Sequence, residues 1–340
     1  MADALRAEGA SVAFIGGQRA ERELVPAAGY PLRTIDVEGI SRTDPRKAAR
    51  AVWKAARGVV RARALLRELA PDAVMGGGGY VAGTVGAAAA AARIPLVLTE
   101  ADSHLGVANR ALAPFARRVC LAFPVAGREG ARYRVTGRPV PPPATDRAAA
   151  RARFGLADDD VVVLVFGGSL GARSINEAAV RAFADPAALA PAGGGRLRIL
   201  HAAGRRDFDA LRAPGDHYDL HPYIDRFAEA LAASDLVVAR AGGSVFEIAA
   251  HGRPAILVPY PHAAADHQTA NAAWMAHHGA AVVVPDRELT PERLAAEAGA
   301  LLRDPDRRAA MAAASARLAR PDAAAAIARE VLAAAAAGRG

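Results

Sequence analysis

The chain has 340 residues, 52% hydrophobic and 23% charged, so it can bury sizeable cores, is not of the disordered class, and is long enough for two domains. Its single cysteine, Cys120, excludes a disulfide framework and a cysteine-rich metal site and is typical of a reducing compartment, the cytoplasm. The net charge is +8, and the positive excess lies in the first 140 residues, which hold 21 Lys and Arg against 12 Asp and Glu.

Short apolar runs alternate with helical stretches in the first half of the chain. This alternation is typical of buried parallel strands connected by helices. We predict strands at residues 12–16, 72–76, 95–99 and 118–123.

A basic helix is predicted at residues 44–70. Arg50, Lys54, Arg57 and Arg61 recur at spacings of four, three and four, which places them on one stripe of the helix. Such a stripe is either an ordinary solvated face or a surface that lies on anionic lipid. A nucleic-acid partner is not expected, because few aromatic residues accompany the basic ones and no binding motif is present.

Residues 73–92 carry no charge over about the length of a membrane span. Six glycines interrupt this stretch, however, and predict a strand, a turn and a helix in its place. We therefore expect no transmembrane segment, and we expect no signal peptide.

The second half repeats the strand–helix alternation after a proline-rich connection at residues 137–146. The predicted architecture is α/β, with two doubly wound domains in tandem and a ligand cleft between them. We assign residues 1–140 to the first domain, 141–320 to the second and 321–340 to a terminal helix that could pack back on the first. The predicted strands of the second half are 161–166, 197–202, 218–224, 235–240, 254–259 and 280–285.

Three glycine-rich turns follow predicted strands, at residues 76–83, 167–173 and 240–247. In the second and third, the order of strand, glycines, serine and helix directs backbone N–H groups toward one point and suits a diphosphate. A tight turn without any ligand is an equally good reading of each turn taken alone.

The stretch around Ser169 also fits the elbow of a serine hydrolase. Asp235 with His251 or His262 would complete the order Ser, Asp, His. No oxyanion segment is evident upstream, and a hydrolase has no need of a second glycine–serine turn, so acyl hydrolysis is the least favoured reading.

Several longer stretches together resemble the MurG family of GT-B glycosyltransferases. They occur in family order over nearly the whole chain, which makes their combination specific. The stretches are AVMGGGGYVAGTVGAAAAAARIPLVLTEAD, LGVANRALAPFARRV, VTGRPV, VLVFGGSLGARSIN, YIDRFAEALAASDLVVARAGGSVFEIAAHGRPAILVPYPHAAADHQTANA and GAAVVV.

The resemblance implies a GT-B fold of two Rossmann-like domains and assigns roles to individual residues. Ser169 would bind the donor diphosphate, Ile224 would lie against the uracil, Glu247 would bind the ribose and Gln268 the sugar. The donor-side residues are Gly168, Ser169, Gly171, Ile224, Gly242, Gly243, Ser244, Glu247 and Gln268. The acceptor-side residues are Gly78, Gly79, Tyr80, Glu100 and Asn109. Without the resemblance, Glu247 and Gln268 would be ordinary helix residues.

The chain departs from the family pattern at three places. The family's first strand and its GGTGGH-like loop, which carries the expected general base, have no counterpart after Met1; we expect that the start was assigned too late, because the neighbouring strands would otherwise be unpaired. Asp102 stands where the family has an asparagine that contacts the nucleotide, and Pro141 stands where it has an arginine. Arg138 could replace that arginine.

The activity implied by the resemblance is an inverting, metal-independent transfer of N-acetylglucosamine from UDP to the C4 hydroxyl of a lipid-linked muramyl-pentapeptide. No cofactor and no metal site are expected, and the catalytic base is unassigned. The lipid acceptor favours the membrane reading of residues 44–70 and a peripheral location on the cytoplasmic face of the cell membrane. A related transferase with another acceptor and a noncatalytic sugar-nucleotide binder stay open as alternatives.

Overall fold

The computed structural model describes residues 1–37 and 45–338, except for the side chains of residues 45–55 and 264. The chain divides into two compact units. The first unit contains Met1–Pro139 and Asp322–Gly340, and the second unit contains Val140–Pro321.

The first unit contains parallel strands in two sheets. In the described part of the chain, β1 pairs with β2 in a two-stranded sheet, and the other four strands pair in the order β3-β4-β5-β6. The strands are β1 (Phe14–Gly16), β2 (Leu32–Thr34), β3 (Val74–Gly76), β4 (Leu96–Glu100), β5 (Arg118–Leu121) and β6 (Tyr133–Val135).

Helices connect these strands and cover the sheets. Small residues let α4 and α5 pack closely, because a Cβ added at Gly86 would lie 2.5 Å from the Leu112 side chain. The helices are α1 (Ala2–Ala7), α2 (Glu21–Ala27), α3 (Pro45–Leu69), α4 (Gly79–Ala91) and α5 (Val107–Leu112).

The last helix of the chain belongs to the first unit. Helix α13 (Ala323–Ala336) buries Ile327, Ala328 and Val331 in a cluster that also contains Leu5 and Val97. An ion pair of 2.8 Å between Arg118 Nε and Glu330 Oε2 joins the helix to β5. Apolar burial therefore supplies most of the packing of this helix, with the partly exposed ion pair adding little.

The second unit has one six-stranded parallel sheet, in the order β12-β11-β10-β7-β8-β9. From β7 the chain adds β8 and β9 on one side of the sheet, and it then adds β10, β11 and β12 on the other side. The direction of strand addition therefore reverses between the neighbouring strands β7 and β10, as in a doubly wound fold. The strands are β7 (Val161–Phe166), β8 (Leu197–Ala202), β9 (Tyr218–His221), β10 (Leu236–Ala239), β11 (Ala255–Leu257) and β12 (Ala281–Val283).

Helices pack on the sheet of the second unit; β10 and β11 are buried along their whole length, and β7 is buried from its second residue onward. Continuous apolar strands of this kind are expected where helices cover both faces. The helices are α6 (Arg147–Arg153), α7 (Arg173–Ala182), α8 (Phe227–Ala233), α9 (Val245–Ala250), α10 (His267–His277), α11 (Pro291–Leu302) and α12 (Pro305–Leu318).

The predicted fold class is confirmed, since both units are parallel α/β structures of the Rossmann type. Each predicted strand overlaps an observed one: β4 ends one residue beyond the predicted 95–99, and most of the others are as long as predicted or shorter. The sequence reading missed β2 and β6, which are three residues long and partly exposed, so neither has the continuous apolar run that marks a buried strand.

No helix in the described residues is both long enough and apolar enough to span a membrane. The uncharged stretch 73–92 forms β3, a glycine turn and α4, as predicted. The basic stripe falls partly outside the described side chains: Arg50 and Lys54 are not described, whereas Arg57 and Arg61 are exposed on α3.

Candidate active site

Two glycine–serine turns of the second unit leave the sheet side by side. Strands β7 and β10 are paired in parallel, with Phe166 opposite Ala239 at their carboxyl ends. The first turn, residues 167–172, follows Phe166, and the second, residues 240–244, follows Ala239. The parallel register therefore brings both turns to one edge of the sheet, at the point where its strand order reverses.

The first turn is compact and needs its glycines. The Gly171 N–H donates to the Gly168 carbonyl at 3.0 Å, and both residues have a positive φ, 82° and 95°. Ser169 is exposed at the tip of the turn. Helix α7 follows directly, and the side chain of its N-cap residue, Ala172, accepts no hydrogen bond, so no side chain at that position competes for the first N–H groups.

A second loop crosses the first turn at backbone distance. A Cβ added at Gly171 would lie 2.1 Å from the Ala203 carbonyl oxygen, and a Cβ added at Gly204 would lie 2.3 Å from the Gly171 nitrogen. Only glycine fits at either position, because both also have positive φ. The sequence reading included Gly171 and missed Gly204.

A buried polar network supports the Ala203–Gly204 loop where it crosses the first turn. Asn176 Nδ2 donates to the Ala203 carbonyl at 2.8 Å, and Asn176 Oδ1 lies 3.0 Å from His201 Nε2. The other ring nitrogen of His201 lies 2.7 Å from the Tyr218 hydroxyl. Burial lowers the pKa of His201 from 6.5 to about 3, so the imidazole is neutral and donates at one nitrogen and accepts at the other.

Asp207 adds a charged group to the same network. Its Oδ2 lies 3.3 Å from Asn176 Nδ2, and Arg206 donates to both of its oxygens at 3.0 Å. The hydrogen bonds from Arg206 lower the pKa of Asp207, so the carboxylate stays ionised. Asp207 therefore supports the turn and is not available as a metal ligand.

The second turn leads into the short helix α9. Gly242 and Gly243 do not have a positive φ, so the turn does not require glycine for its backbone conformation. A Cβ added at Gly242 would lie 3.7 Å from Gln268 Nε2, which is an ordinary contact. Because Gly242 and Gly243 have no side chain, the backbone of this turn is open to close approach by a ligand.

Helix α10 holds the second turn. Asn271 is 1% exposed and its Nδ2 donates to the Ala241 carbonyl at 3.0 Å, while its Oδ1 has no partner in the described structure. Gln268 Oε1 accepts the Tyr260 N–H at 3.0 Å. This bond orients the Gln268 amide and leaves its NH₂ group facing the turn.

The remaining donor-side residues lie around the same edge. Ile224 is 7% exposed, in the loop that connects β9 to α8. Glu247 lies in α9, where its carbonyl oxygen is bonded to His251 Nδ1 at 2.8 Å. The donor roles of these two residues, like those of Ser169, Ser244 and Gln268, stay predictions.

The glycine turn of the first unit lies between β3 and α4. Gly78 and Gly79 have φ values of 82° and 77°, and Gly78 is the N-cap of α4. Tyr80 follows and is 36% exposed, with the Arg19 guanidinium 5.9 Å from its ring centroid. A Cβ added at Gly78 would lie 3.5 Å from Asn109 Nδ2, so this turn and α5 are in contact.

Glu100 organises the loop that follows β4. Its Oε1 accepts the Ala101 and Asp102 N–H groups at 3.0 and 3.3 Å, and its Oε2 accepts the Gly106 N–H at 2.8 Å and Asn109 Nδ2 at 2.9 Å. Four hydrogen bonds occupy the lone pairs of this buried carboxylate. Glu100 is therefore a positioning residue.

Asn109 differs from Glu100 because one of its groups is unused. It is 1% exposed, and its Nδ2 also donates to the Thr99 carbonyl at 2.9 Å. These two acceptors fix the orientation of the amide, and they leave Oδ1 buried with no partner among the residues that the structure describes. A buried acceptor without a partner is costly, and it suits a hydroxyl or N–H group of a ligand.

Asp102 and Arg138 both lie in the first unit. Asp102 is in the loop held by Glu100, and Arg138 follows β6. Their assignment to the donor stays a prediction.

The hydrolase alternative fails on geometry. Asp235 precedes β10, at the opposite end of the paired strands from Ser169, and its oxygens accept the Val162 N–H and an Arg147 N–H. His251 contacts the Glu247 carbonyl and the Ala144 N–H through its two ring nitrogens. Neither residue can serve Ser169 in a triad.

No group of three or more His, Cys, Asp or Glu side chains in the described residues is arranged to hold a metal ion. Asp304 caps α12 by accepting the Arg307 N–H at 2.9 Å, and Asp207 bonds to Arg206 and Asn176, so both carboxylates have structural partners.

Two family profiles match most of the chain. The glycosyltransferase family 28 N-terminal domain matches residues 1–121, and the glycosyltransferase family 28 C-terminal domain matches residues 162–327.

Close relatives share one name, UDP-N-acetylglucosamine–N-acetylmuramyl-(pentapeptide) pyrophosphoryl-undecaprenol N-acetylglucosamine transferase. The protein of Moorella thermoacetica is 42% identical, over 95% of this chain and 91% of its own length. The protein of Rubrobacter xylanophilus is 41% identical, over the full length of both chains.

A solved structure agrees with these relatives. The crystal structure of Acinetobacter baumannii MurG has a TM-score of 0.77 and 30% identity, and the match covers 98% of this chain and 94% of that one. This agreement confirms the expected GT-B fold. The chain therefore belongs to the MurG family and is a glycosyltransferase of family 28.

Proposed function

We propose that the protein transfers N-acetylglucosamine from UDP-N-acetylglucosamine to a lipid-linked N-acetylmuramyl-pentapeptide, the step from lipid I to lipid II of peptidoglycan synthesis. The names of its relatives support this activity. The structural observation that carries it is the pair of glycine–serine turns at the carboxyl ends of β7 and β10. Two backbone turns at one sheet edge suit the diphosphate of a sugar nucleotide.

The second unit binds the donor in this proposal. Backbone N–H groups of residues 168–171 and 242–244 bind the diphosphate, together with the Ser169 and Ser244 hydroxyls. Ile224 packs against the uracil and Glu247 accepts hydrogen bonds from the ribose. The free NH₂ group of Gln268 binds a sugar hydroxyl, which is consistent with its fixed amide orientation.

The first unit binds the acceptor. The glycine turn with Gly78 and Gly79 receives the acceptor diphosphate at the start of α4, a helix of 13 residues. Asn109 Oδ1 accepts a hydrogen bond from the muramyl sugar or its substituents, because it is a buried acceptor of this unit that has no partner among the described residues. Glu100 keeps both Asn109 and the 101–106 loop in place, and Tyr80 lines the same site.

The reaction requires attack of the acceptor C4 hydroxyl on the anomeric carbon, opposite the departing UDP. The configuration is inverted, a base takes the hydroxyl proton, and negative charge grows on the leaving diphosphate. Fixed backbone donors stabilise that charge without reorganising, so we propose that the transfer needs no metal ion. We assign the base to none of the described side chains, since Glu100 is fully engaged.

We propose that the first unit lies on the cytoplasmic face of the membrane through basic and apolar surface groups. On α3, Arg57 and Arg61 are exposed beside Val60, which is 71% exposed. Phe115, which is 67% exposed, lines a shallow groove with Arg117 and Arg132. Each basic residue near an anionic leaflet adds about 1 kcal/mol, and the apolar side chains can enter the interface.

Vesicle binding tests the membrane contact. Arg57→Glu with Arg61→Glu should weaken sedimentation with vesicles that contain phosphatidylglycerol. The matched control, Arg287→Glu with Arg317→Glu on the second unit, changes the net charge equally and should bind as the wild type does. Equal loss in both double variants would show a general charge effect and would contradict the proposed surface.

The activity is tested with the full chain, UDP-N-acetylglucosamine and the lipid-linked acceptor. We expect a lipid-linked disaccharide and free UDP, and both products should fall when Ser169 or Glu247 is replaced by alanine. Product from a different acceptor only would indicate a related transferase. UDP binding without any transfer would indicate a sugar-nucleotide binder, and either result would overturn the proposal.

A further inference from the structure

Arg240 joins three separate segments of the second unit. Its Nη1 donates to Asp286 Oδ1 at 2.5 Å and to the Val258 and Pro259 carbonyls at 3.2 Å. Its Nη2 donates to Ser174 Oγ at 2.8 Å. The Ser174 hydroxyl donates in turn to Asp286 Oδ1 at 2.7 Å, so the three side chains form a closed triangle.

The triangle is well shielded from water. The side chains of Arg240 and Asp286 are 11% and 21% exposed. Opposite charges that are both largely buried hold their geometry when further hydrogen bonds satisfy them, as the two carbonyls and the hydroxyl do here. Removal of one partner would leave the other charge buried and unpaired.

The triangle connects the two glycine–serine turns. Arg240 is the residue between β10 and the 241–244 segment, and Ser174 is the second residue of α7, directly after the 167–172 turn. The register of β7 and β10 sets where the turns begin, but it does not set the directions in which they leave the sheet. The bond from Arg240 to Ser174 supplies that missing constraint.

The same arginine also reaches the segment that orients Gln268. Its guanidinium carbon lies 5.4 Å from the centroid of the Tyr260 ring, and the Tyr260 N–H donates to Gln268 Oε1. A cation over an aromatic face is an attractive contact. Arg240 therefore contacts helix α7 just after the first turn, adjoins the second turn along the chain, and contacts Tyr260, whose N–H orients Gln268.

We propose that Arg240, Ser174 and Asp286 act as a clamp that fixes the distance between the two turns, and that Arg240 is a positioning residue for the nucleotide diphosphate. The inference rests on the proposed function, since it takes both turns as diphosphate-binding. Nη1 and Nη2 of Arg240 donate four hydrogen bonds to protein groups, and Arg240 acts on the diphosphate through the turns that these bonds hold.

The test compares UDP with uridine. Uridine lacks the diphosphate, so a clamp that spaces the turns should change UDP affinity and leave uridine affinity alone. In Arg240→Gln, we expect UDP affinity by calorimetry to fall about 10- to 100-fold, and uridine affinity, measured by competition, to change less than about 2-fold. Arg240→Lys should recover little of the lost UDP affinity, because an ammonium group cannot reproduce the planar geometry of the guanidinium donors.

Two further variants keep the test decisive if Arg240→Gln folds poorly. Ser174→Ala removes two of the bonds with the loss of a single oxygen atom, and we expect about a 3- to 10-fold loss of UDP affinity. Arg287→Gln is the control, because this neighbouring arginine is 84% exposed and should bind UDP as the wild type does.

Three results would overturn the clamp. Wild-type affinity for UDP in Ser174→Ala and Arg240→Gln would show that the turns need no clamp. Equal losses of UDP and uridine affinity would show a general structural role. Failure of the wild-type protein to bind UDP would remove the proposed function together with the clamp, and this result is distinguishable because it precedes any substitution.

Discussion

The glycine turn of the first unit and the paired turns of the second unit are held in place by different means. In the first unit, a carboxylate, Glu100, accepts four hydrogen bonds and fixes a loop and an amide side chain. In the second unit, a guanidinium, Arg240, donates four hydrogen bonds and ties the turns together. Each unit thus uses one central charged group that forms four hydrogen bonds to protein groups and so fixes the segments around it.

The comparison extends to a matched pair of asparagines. Asn109 and Asn271 are each 1% exposed, each donates through Nδ2 to a backbone carbonyl, and each leaves Oδ1 without a partner in the described structure. Asn109 lies by the proposed acceptor turn and Asn271 by the proposed donor turn. The two residues allow the roles of the two units to be separated experimentally.

The largest effect is expected from Gly171→Ala. A Cβ there would lie 2.1 Å from the Ala203 carbonyl oxygen at a positive φ, so the free energy of unfolding should fall by about 3 kcal/mol or more and UDP binding by at least about 100-fold. Urea denaturation and calorimetry measure the two quantities.

Gly242→Ala is the control for Gly171→Ala. Its Cβ would meet only an ordinary contact of 3.7 Å, so stability should change by less than about 1 kcal/mol. UDP affinity should still fall, because the methyl group blocks close approach of the diphosphate to the backbone. Unchanged UDP affinity would contradict the role of the second turn.

Glu100→Gln should impair acceptor use next most strongly. Each Glu100 oxygen accepts two hydrogen bonds, so in either orientation of the glutamine amide its NH₂ group would face two N–H donors. The 101–106 loop should therefore lose hydrogen bonds that hold it in place. We expect kcat/KM for the lipid acceptor to fall about 30-fold, with UDP affinity unchanged.

Glu330→Gln is the matched control for Glu100→Gln. It removes a carboxylate of the same unit whose ion pair with Arg118 is partly exposed, and the free energy of unfolding should fall by less than about 1 kcal/mol. An equal loss of UDP affinity in Glu100→Gln would contradict the separation of the two sites.

The asparagine pair gives the third prediction. Asn109→Ala should raise KM for the acceptor about 10-fold and leave UDP affinity unchanged, because it removes the free Oδ1 of the first unit. Asn271→Ala should lower UDP affinity and leave KM for the acceptor unchanged. Steady-state kinetics with each substrate varied in turn checks both predictions. The same changes in KM and UDP affinity in the two variants would contradict separate roles for the two units.

A separate prediction concerns the pH dependence of stability. The pKa of His201 is lowered from 6.5 to about 3 by burial, so the unfolded state binds more protons between these values. Its stabilising contribution is complete above about pH 6.5 and is lost as the pH falls toward 3. Between about pH 7 and pH 5, the free energy of unfolding should fall by about 2 kcal/mol more in the wild type than in His201→Gln. Parallel pH profiles of the two proteins would contradict this account.

The sequence predicted the parts of the site that depend on local pattern. Apolar runs located the main strands, and glycines after strands located the three turns, since both follow from backbone geometry over a few residues. The short strands β2 and β6 were missed because packing, not pattern, makes them strands.

The supporting groups could not be predicted in the same way. Arg240 lies 46 residues from Asp286 and 66 residues from Ser174, and no local spacing connects them. Asn176 and Arg240 both stood inside the stretches that resemble the family, yet their partners depend on which strands become neighbours. Gly204 was a lone glycine without a strand–turn–helix context, so its role required the crossing loop to be seen.

The most direct test of the account is a crystal structure of the protein with UDP-N-acetylglucosamine. We predict that the diphosphate lies within hydrogen-bond distance of backbone N–H groups in both the 168–171 and 242–244 segments, with Arg240 still bonded to Ser174 and Asp286. A diphosphate bound to only one of these segments, or bound elsewhere, would contradict it.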